Sequence, residues 1–218
     1  MAKTRSVPLW RRPVLVVPVV TIVLLAAMLL NTRFVGASAE QAADTAVEYA
    51  ELNYTEVIVP GLIERAQPIA ELTAQIAADP EAAGEEHGRR EDPTKPYSFP
   101  VTATGVVTEG SFGEVGLEVD GLPDGLTVGV AIPPLGSSTA LRDAGTELTF
   151  GSFVNQTEYQ DVAIELNKKA ATEVFGELDL KAETGNEITV TGAMTWSSKT
   201  GGAVTHVTII PVKIEVGS

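Results

Sequence analysis

Residues 149–170 read TFGSFVNQTEYQDVAIELNKKA. Two phenylalanines flank a glycine, amides and carboxylates follow, and apolar residues then recur at helical spacing. From about Gln156 to Val174, the side chains of Tyr159, Val162, Ala163, Leu166, Ala170 and Val174 fall on one stripe, which predicts an amphipathic helix. Asn155 takes the N-cap position, and Glu158, three residues on, is placed to reach back as in a capping box. Asp161 near the positive end of the helix, and Lys168 and Lys169 near the other end, suit the helix macrodipole. Phe150 and Phe153 are the right residues to pack beneath the helix entry.

What surrounds this helix decides the fold. Upstream, Phe99, Val101, Ala103, Gly105 and Val107 alternate with threonines, a period of two that predicts a strand. Val115, Leu117 and Val119 form a second, the turn DGLPDG (120–125) follows, and Leu126, Val128, Val130 and Ile132 form a third that Pro133-Pro134 ends. Downstream, Ile188, Val190, Gly192, Met194 and Trp196 make a fourth strand. After SSKTGG (197–202), Ile210, Val212, Ile214 and Val216 face one way in a fifth, with Lys213 and Glu215 opposite. The order β-β-β-α-β-β is that of a five-stranded OB-like barrel, in which the helix between the third and fourth strands closes one end. The fold class is therefore α+β, mainly β.

Ahead of the barrel the periodicity is helical. Residues 38–52 (SAEQAADTAVEYAEL) are rich in helix formers. Residues 61–78 place Leu62, Ala66, Ile69, Thr73 and Ile76 on one face, with a kink expected at Pro68. Asp79-Pro80 restarts a short helix, Asp as cap and Pro in the first turn. The polar run EEHGRREDPTKP (85–96) has the composition of a linker. This divides the chain into a basic segment (1–12), an apolar span (13–30), a helical segment with linker (31–96) and the barrel (97–218).

The apolar span, PVLVVPVVTIVLLAAMLL, has Thr21 as its one polar side chain. As a helix it reaches roughly 27 Å, enough for a bilayer core, and a membrane helix tolerates Pro18. Lys3, Arg5, Arg11 and Arg12 ahead of it should stay cytoplasmic and place the remainder outside as a single-pass protein. Cleavage after the small-residue pattern Ala37-Ser38-Ala39 is the alternative, giving a secreted chain. Residues 1–39 hold five bases and no acid, so the rest carries 29 acids against 10 bases, a net charge of −19. Such a field repels phosphate backbones and excludes nucleic acid as a partner of the main body.

Candidate site residues come from the opening stretch and its approach. Arg142, Asn155, Gln156, Glu158 and Tyr159 are the candidate ligand contacts. Most of these positions have an ordinary role in starting a helix, and Gln156 and Arg142 are least explained by one. Arg142 could pair with Asp143, with Glu158 or with an anionic ligand. His87 and His206, the two histidines, have no partner at metal-ligand spacing, and there is no cysteine, so no metal or cofactor is expected. No nucleophile elbow, phosphate loop or dinucleotide glycine pattern occurs, so the expectation is a non-catalytic protein.

Taken together, KPYSFPVTATGVV (95–107), TALRDA (139–144), FGSFVNQTEYQDVAIELN (150–167) and VTIIPVKIEV (207–216) resemble the bacterial predicted periplasmic lipoproteins of domain-of-unknown-function family 2291. The resemblance spans roughly residues 32–217. It implies export and, through association with sugar-type ABC transport components, an accessory role in solute uptake, with a transporter or solute-binding protein as partner. It also implies a lipobox cysteine, which this chain lacks, so an uncleaved N-terminal helix is the expected anchor. The alternative function is a β-barrel module that binds a small ligand or glycan, with Tyr97 and Trp196 as candidate aromatics, although Trp196 lies on the apolar face of its strand, where a core position is expected.

Overall fold

The helices of the computed structural model, which describes residues 43–153, 155–198 and 201–217, start where their caps put them. Thr45 accepts from the backbone N–H of Glu48 to open α1 (Ala46–Asn53), which runs through a π-helical turn (Tyr54–Ile58) into α2 (Val59–Arg65). The expected kinked helix over 61–78 is in fact two helices. Ala66 turns extended, Gln67–Pro68 forms the two-residue strand β1, and α3 (Ile69–Ala78) begins afresh. A proline ring clashes with the carbonyl four residues back, and here the chain breaks instead of bending. Asp79 caps α4 (Pro80–His87) through the N–H of Ala82, as its sequence indicates.

Five further strands follow: β2 (Ser98–Thr108), β3 (Glu114–Glu118), β4 (Thr127–Ala131), β5 (Glu187–Thr195) and β6 (His206–Val216). Between β4 and β5 lie α5 (Ala140–Gly145) and α6 (Gln156–Phe175), the latter within a residue of its predicted bounds. The strands pair in the order β2-β3-β4-β6-β5, and β5 pairs back onto β2, so the barrel closes. Only the β4–β6 pairing within the barrel is parallel. Closure removes the open edges that a five-stranded sheet would expose. β1 adds a short parallel pairing to β2.

Two cores result. Inside the barrel, Phe99, Val101, Val115, Val128, Val190 and Ile209 are buried, and Ile69, Leu72 and Ile76 of α3 join them. Outside it, Tyr159, Val162, Leu166 and Ala170 of α6 pack against α1, α5 and the outward side chains Ala193, Ile210 and Val212. The predicted stripe on α6 is therefore real, but it packs on the outside of the barrel, and α3 supplies the plug. α6 cannot do both, because its apolar face is already used against Tyr49 and Ala50 of α1. The even alternation expected along β6 also fails. Its register against β5 shifts between Thr191 and Gly192, so Val212 is bulged and Ile214 packs with the barrel interior.

The stretch 85–96 is built into the fold and is not a free linker. Arg89 pairs antiparallel with Ser98 in an isolated bridge, and its guanidinium meets Glu147. Residues Glu40–Ser218 make one compact unit. The expected basic segment, the membrane helix over 13–30 and the cut near Ala39 lie outside the described residues. Among the described residues no helix is long and apolar enough to cross a membrane.

Candidate functional site

Arg142, in the short helix α5, has a side chain only 2% exposed. Its Nε donates to Asp143 Oδ1 at 2.8 Å, and its Nη2 lies 2.8 Å from that oxygen and 3.5 Å from Glu91 Oε2. Nη1 donates to the carbonyl of Tyr159 at 3.3 Å, and the guanidinium carbon sits 4.1 Å from the Tyr159 ring centroid. The Phe150 ring is tilted against that of Tyr159, with centroids 5.3 Å apart. Burial pushes the Tyr159 hydroxyl up to about 12, against the opposing pull of Arg142. The guanidinium thus joins the 88–96 segment, α5 and α6, with its donors spent on protein acceptors. This is a buried joint.

The remaining predicted residues lie apart from that joint. Asn155 is the N-cap, its Oδ1 accepting from the N–H of Thr157 at 2.9 Å. Glu158 departs from the capping-box expectation. Its Oε2 accepts the N–H of Ala46 at 2.7 Å, so it caps the start of α1, 112 residues away. One of the four orphan donors at that helix end is satisfied across the structure instead of locally. Gln156 is exposed on the first turn of α6. Lys168 pairs with Glu165 at 2.7 Å in mid-helix, well before the C-terminal turn. Of the five candidates, only Arg142 and Tyr159 are brought together.

A second polar cluster was invisible as a motif because its members come from three strands. With Val115, Leu117, Val128, Val207 and Ile209 pointing into the barrel, the period of two turns Glu114, Thr127, His206 and Thr208 outward. Glu114 Oε1 lies 2.9 Å from His206 Nε2 and accepts from Ser111 Oγ at 2.8 Å, while Oε2 accepts from Thr208 Oγ1 at 2.7 Å. His206 Nδ1 meets Thr127 Oγ1 at 2.8 Å. Burial pushes the Glu114 carboxyl up, but the hydrogen bonds from Thr208, Ser111 and His206, with the charge on His206, hold it below its ordinary range. The carboxylate can lie flat because Gly129 is beneath it: a Cβ there would come within 2.6 Å of Glu114 Oε2. Glycine inside a strand commonly marks such an approach.

This cluster edges an open groove of about 780 Å³ between the β2–β3 turn and the β3–β4 hairpin. Glu109, Glu118, Asp120 and Asp124 line it, and among the described residues neither lysine nor arginine does. Gly116 leaves part of its wall without a side chain. Phe112, at the tip of the β2–β3 turn, is fully exposed. The two candidate aromatics lie away from this groove, Trp196 in the core position its strand face indicates. Tyr97 is half-buried beneath Arg90, 4.2 Å from its ring centroid, and Trp196 packs against the barrel core. Among the described residues no group of three or more His, Asp or Glu is arranged to hold a metal ion.

A family model described as "Predicted periplasmic lipoprotein (DUF2291)" matches residues 17–215. No curated protein matches the chain. Among solved structures, an OB-fold protein from Thermotoga maritima is similar with a TM-score of 0.58 and 16% identity, covering 81% of this chain and 100% of that one. At that identity the likeness speaks to the fold alone, and it agrees with the closed barrel.

Proposed function

Because the chain belongs to the DUF2291 family of predicted periplasmic lipoproteins, we propose that it is a non-catalytic accessory protein, tethered to the membrane through residues 13–30, that serves a sugar-type ABC uptake system. The family's character supports a location outside the cytoplasm and at the membrane. The groove over β3 and β4 carries the binding part of this reading. It lies on the strands and first-hairpin loop that OB barrels use to take oligonucleotides and oligosaccharides, and its acidic lining is at odds with the first of those. A small polar solute or glycan is the ligand class that remains.

Binding suits the groove better than catalysis does. Glu114 and His206 are bonded to each other and to Ser111, Thr127 and Thr208, which leaves the pair fixed as a wall. Chemical crosslinking of the full-length protein in native membranes, followed by purification, should recover a transport permease or a solute-binding protein. Recovery of neither, with sugar uptake unchanged on deletion, contradicts the proposal.

A further inference from the structure

The buried face of α6 is largely apolar, and Asn167 interrupts it. The residue is 2% exposed, on the same face as the wholly buried Leu166 and Ala170. Half of its amide has a clear purpose. Nδ2 donates to the carbonyls of Gly136 at 3.0 Å and Ser138 at 2.9 Å, tying the loop after β4 to the helix. Two carbonyls can be met only by the NH2 group, so these bonds fix which way the amide faces. Oδ1 is left buried with no partner among the described residues. An acceptor so placed gives up its bond to water without replacing it, and leucine would serve packing better here.

Asn167 forms part of the wall of a cavity of about 440 Å³ between α6 and the loop over 134–137. Leu135, Ile164 and Ala171 make that wall mainly apolar. Lys168 also lines it, but its ammonium is paired with Glu165 at 2.7 Å. The cavity shares no lining residue with the groove over β3 and β4. We propose that it is a second binding site, which takes a neutral, mainly apolar small molecule through one hydroxyl donated to Asn167 Oδ1. The unpaired acceptor decides the class. A carboxylate brings only further acceptors to it, and an ammonium would give up its hydration for a single bond between apolar walls. Water suits it no better, since a buried water needs about two to four polar partners and Leu135, Ile164 and Ala171 offer it none. An alcohol or phenol gives its one hydrogen to Oδ1 and its carbon skeleton to the walls. The volume lies within the roughly 300–1,000 Å³ typical of small-molecule sites. An amide held by two bonds before binding also loses little entropy when the ligand arrives.

Fluorine NMR of the full-length protein in lipid nanodiscs, with empty nanodiscs as the blank, tests this with 4-fluorophenol, 4-fluoroanisole and 4-fluorobenzoate. The first carries the hydroxyl, the second has it capped by a methyl group, and the third is an anion. The 4-fluorophenol signal should broaden beyond the blank, and this probe should bind about tenfold or more tightly than 4-fluoroanisole. The 4-fluorobenzoate signal should match its blank. Ala171→Phe fills the cavity without touching the amide and should abolish binding of the phenol. Asn167→Leu keeps the volume and removes the acceptor, so it should bring the phenol down to the level of the anisole. Should that variant unfold through loss of its ties to the loop, the comparison of the two probes on the wild-type protein still decides. Equal binding of phenol and anisole, binding that survives Ala171→Phe, or no broadening beyond the blank overturns the inference. Each of these results leaves the accessory role, which the crosslinking tests, standing.

Discussion

Arg142 illustrates how one residue type can look like a ligand contact and be a structural joint. The sequence presents an arginine beside an aspartate in a polar neighbourhood, and the pairing with Asp143 was among the readings it allowed. Glu91 and the Tyr159 face could not be foreseen, because they arrive from 51 and 17 residues away. Arg142→Met would leave Asp143 and Glu91, with side chains 11% and 13% exposed, without their cation. Loss of about 3–5 kcal/mol in denaturant unfolding is expected. Glu114 gives the opposite lesson, a functional candidate that no local motif announced. Its folded pKa lies below the unfolded value of about 4.3. Its contribution is therefore complete above that pH and is lost as pH falls through the folded value. Melting temperature followed from about pH 6 to pH 3 should fall less steeply in Glu114→Gln than in the wild type.

At the scale of elements, α6 was legible almost to the residue because two signals coincide: a polar cap and a sustained apolar stripe. Its destination was not legible. A stripe says that a helix packs, never on what, and both α1 and the barrel offer apolar partners. The cap divides the same way. Asn155 caps its own helix, whereas Glu158 caps α1. Asn155→Ala should cost about 1 kcal/mol and Glu158→Ala about 1–2 kcal/mol. Since they act on different helix ends, the double variant should be additive within about 0.5 kcal/mol. A reciprocal capping box would instead show marked coupling. Gly129→Ala is the test of the strand glycines. A methyl group there pushes the Glu114 carboxylate off its seat, so the hydrogen bonds to Thr208 and His206 should weaken and the protein lose about 1–3 kcal/mol.

For the whole molecule, strand order was readable because each strand advertises its own period and the long helix falls between the third and fourth. The closure through β2 and β5, and α3 as plug, depend on contacts distant in sequence. Pro68 even concealed the second, since a kink and a break share the same signature. The groove was hidden for a similar reason. The polar cluster at its edge draws on β3, β4, β6 and the turn before β3, and only the barrel's register sets those residues side by side. Charge, by contrast, was legible at once, and the −19 of residues 40–218 still limits what the groove can hold.

Central to this account is that recognition occurs over β3 and β4 and not at the polar start of α6. Hydrogen–deuterium exchange of the full-length protein, with and without each of a set of common neutral mono- and disaccharides, compares the two regions directly. Slowed exchange confined to residues 108–128 and the amides around His206, with Arg142 and residues 155–160 unchanged, is the predicted result. Protection centred on Arg142 and the α6 entry, or protection nowhere with any of these sugars, would contradict it.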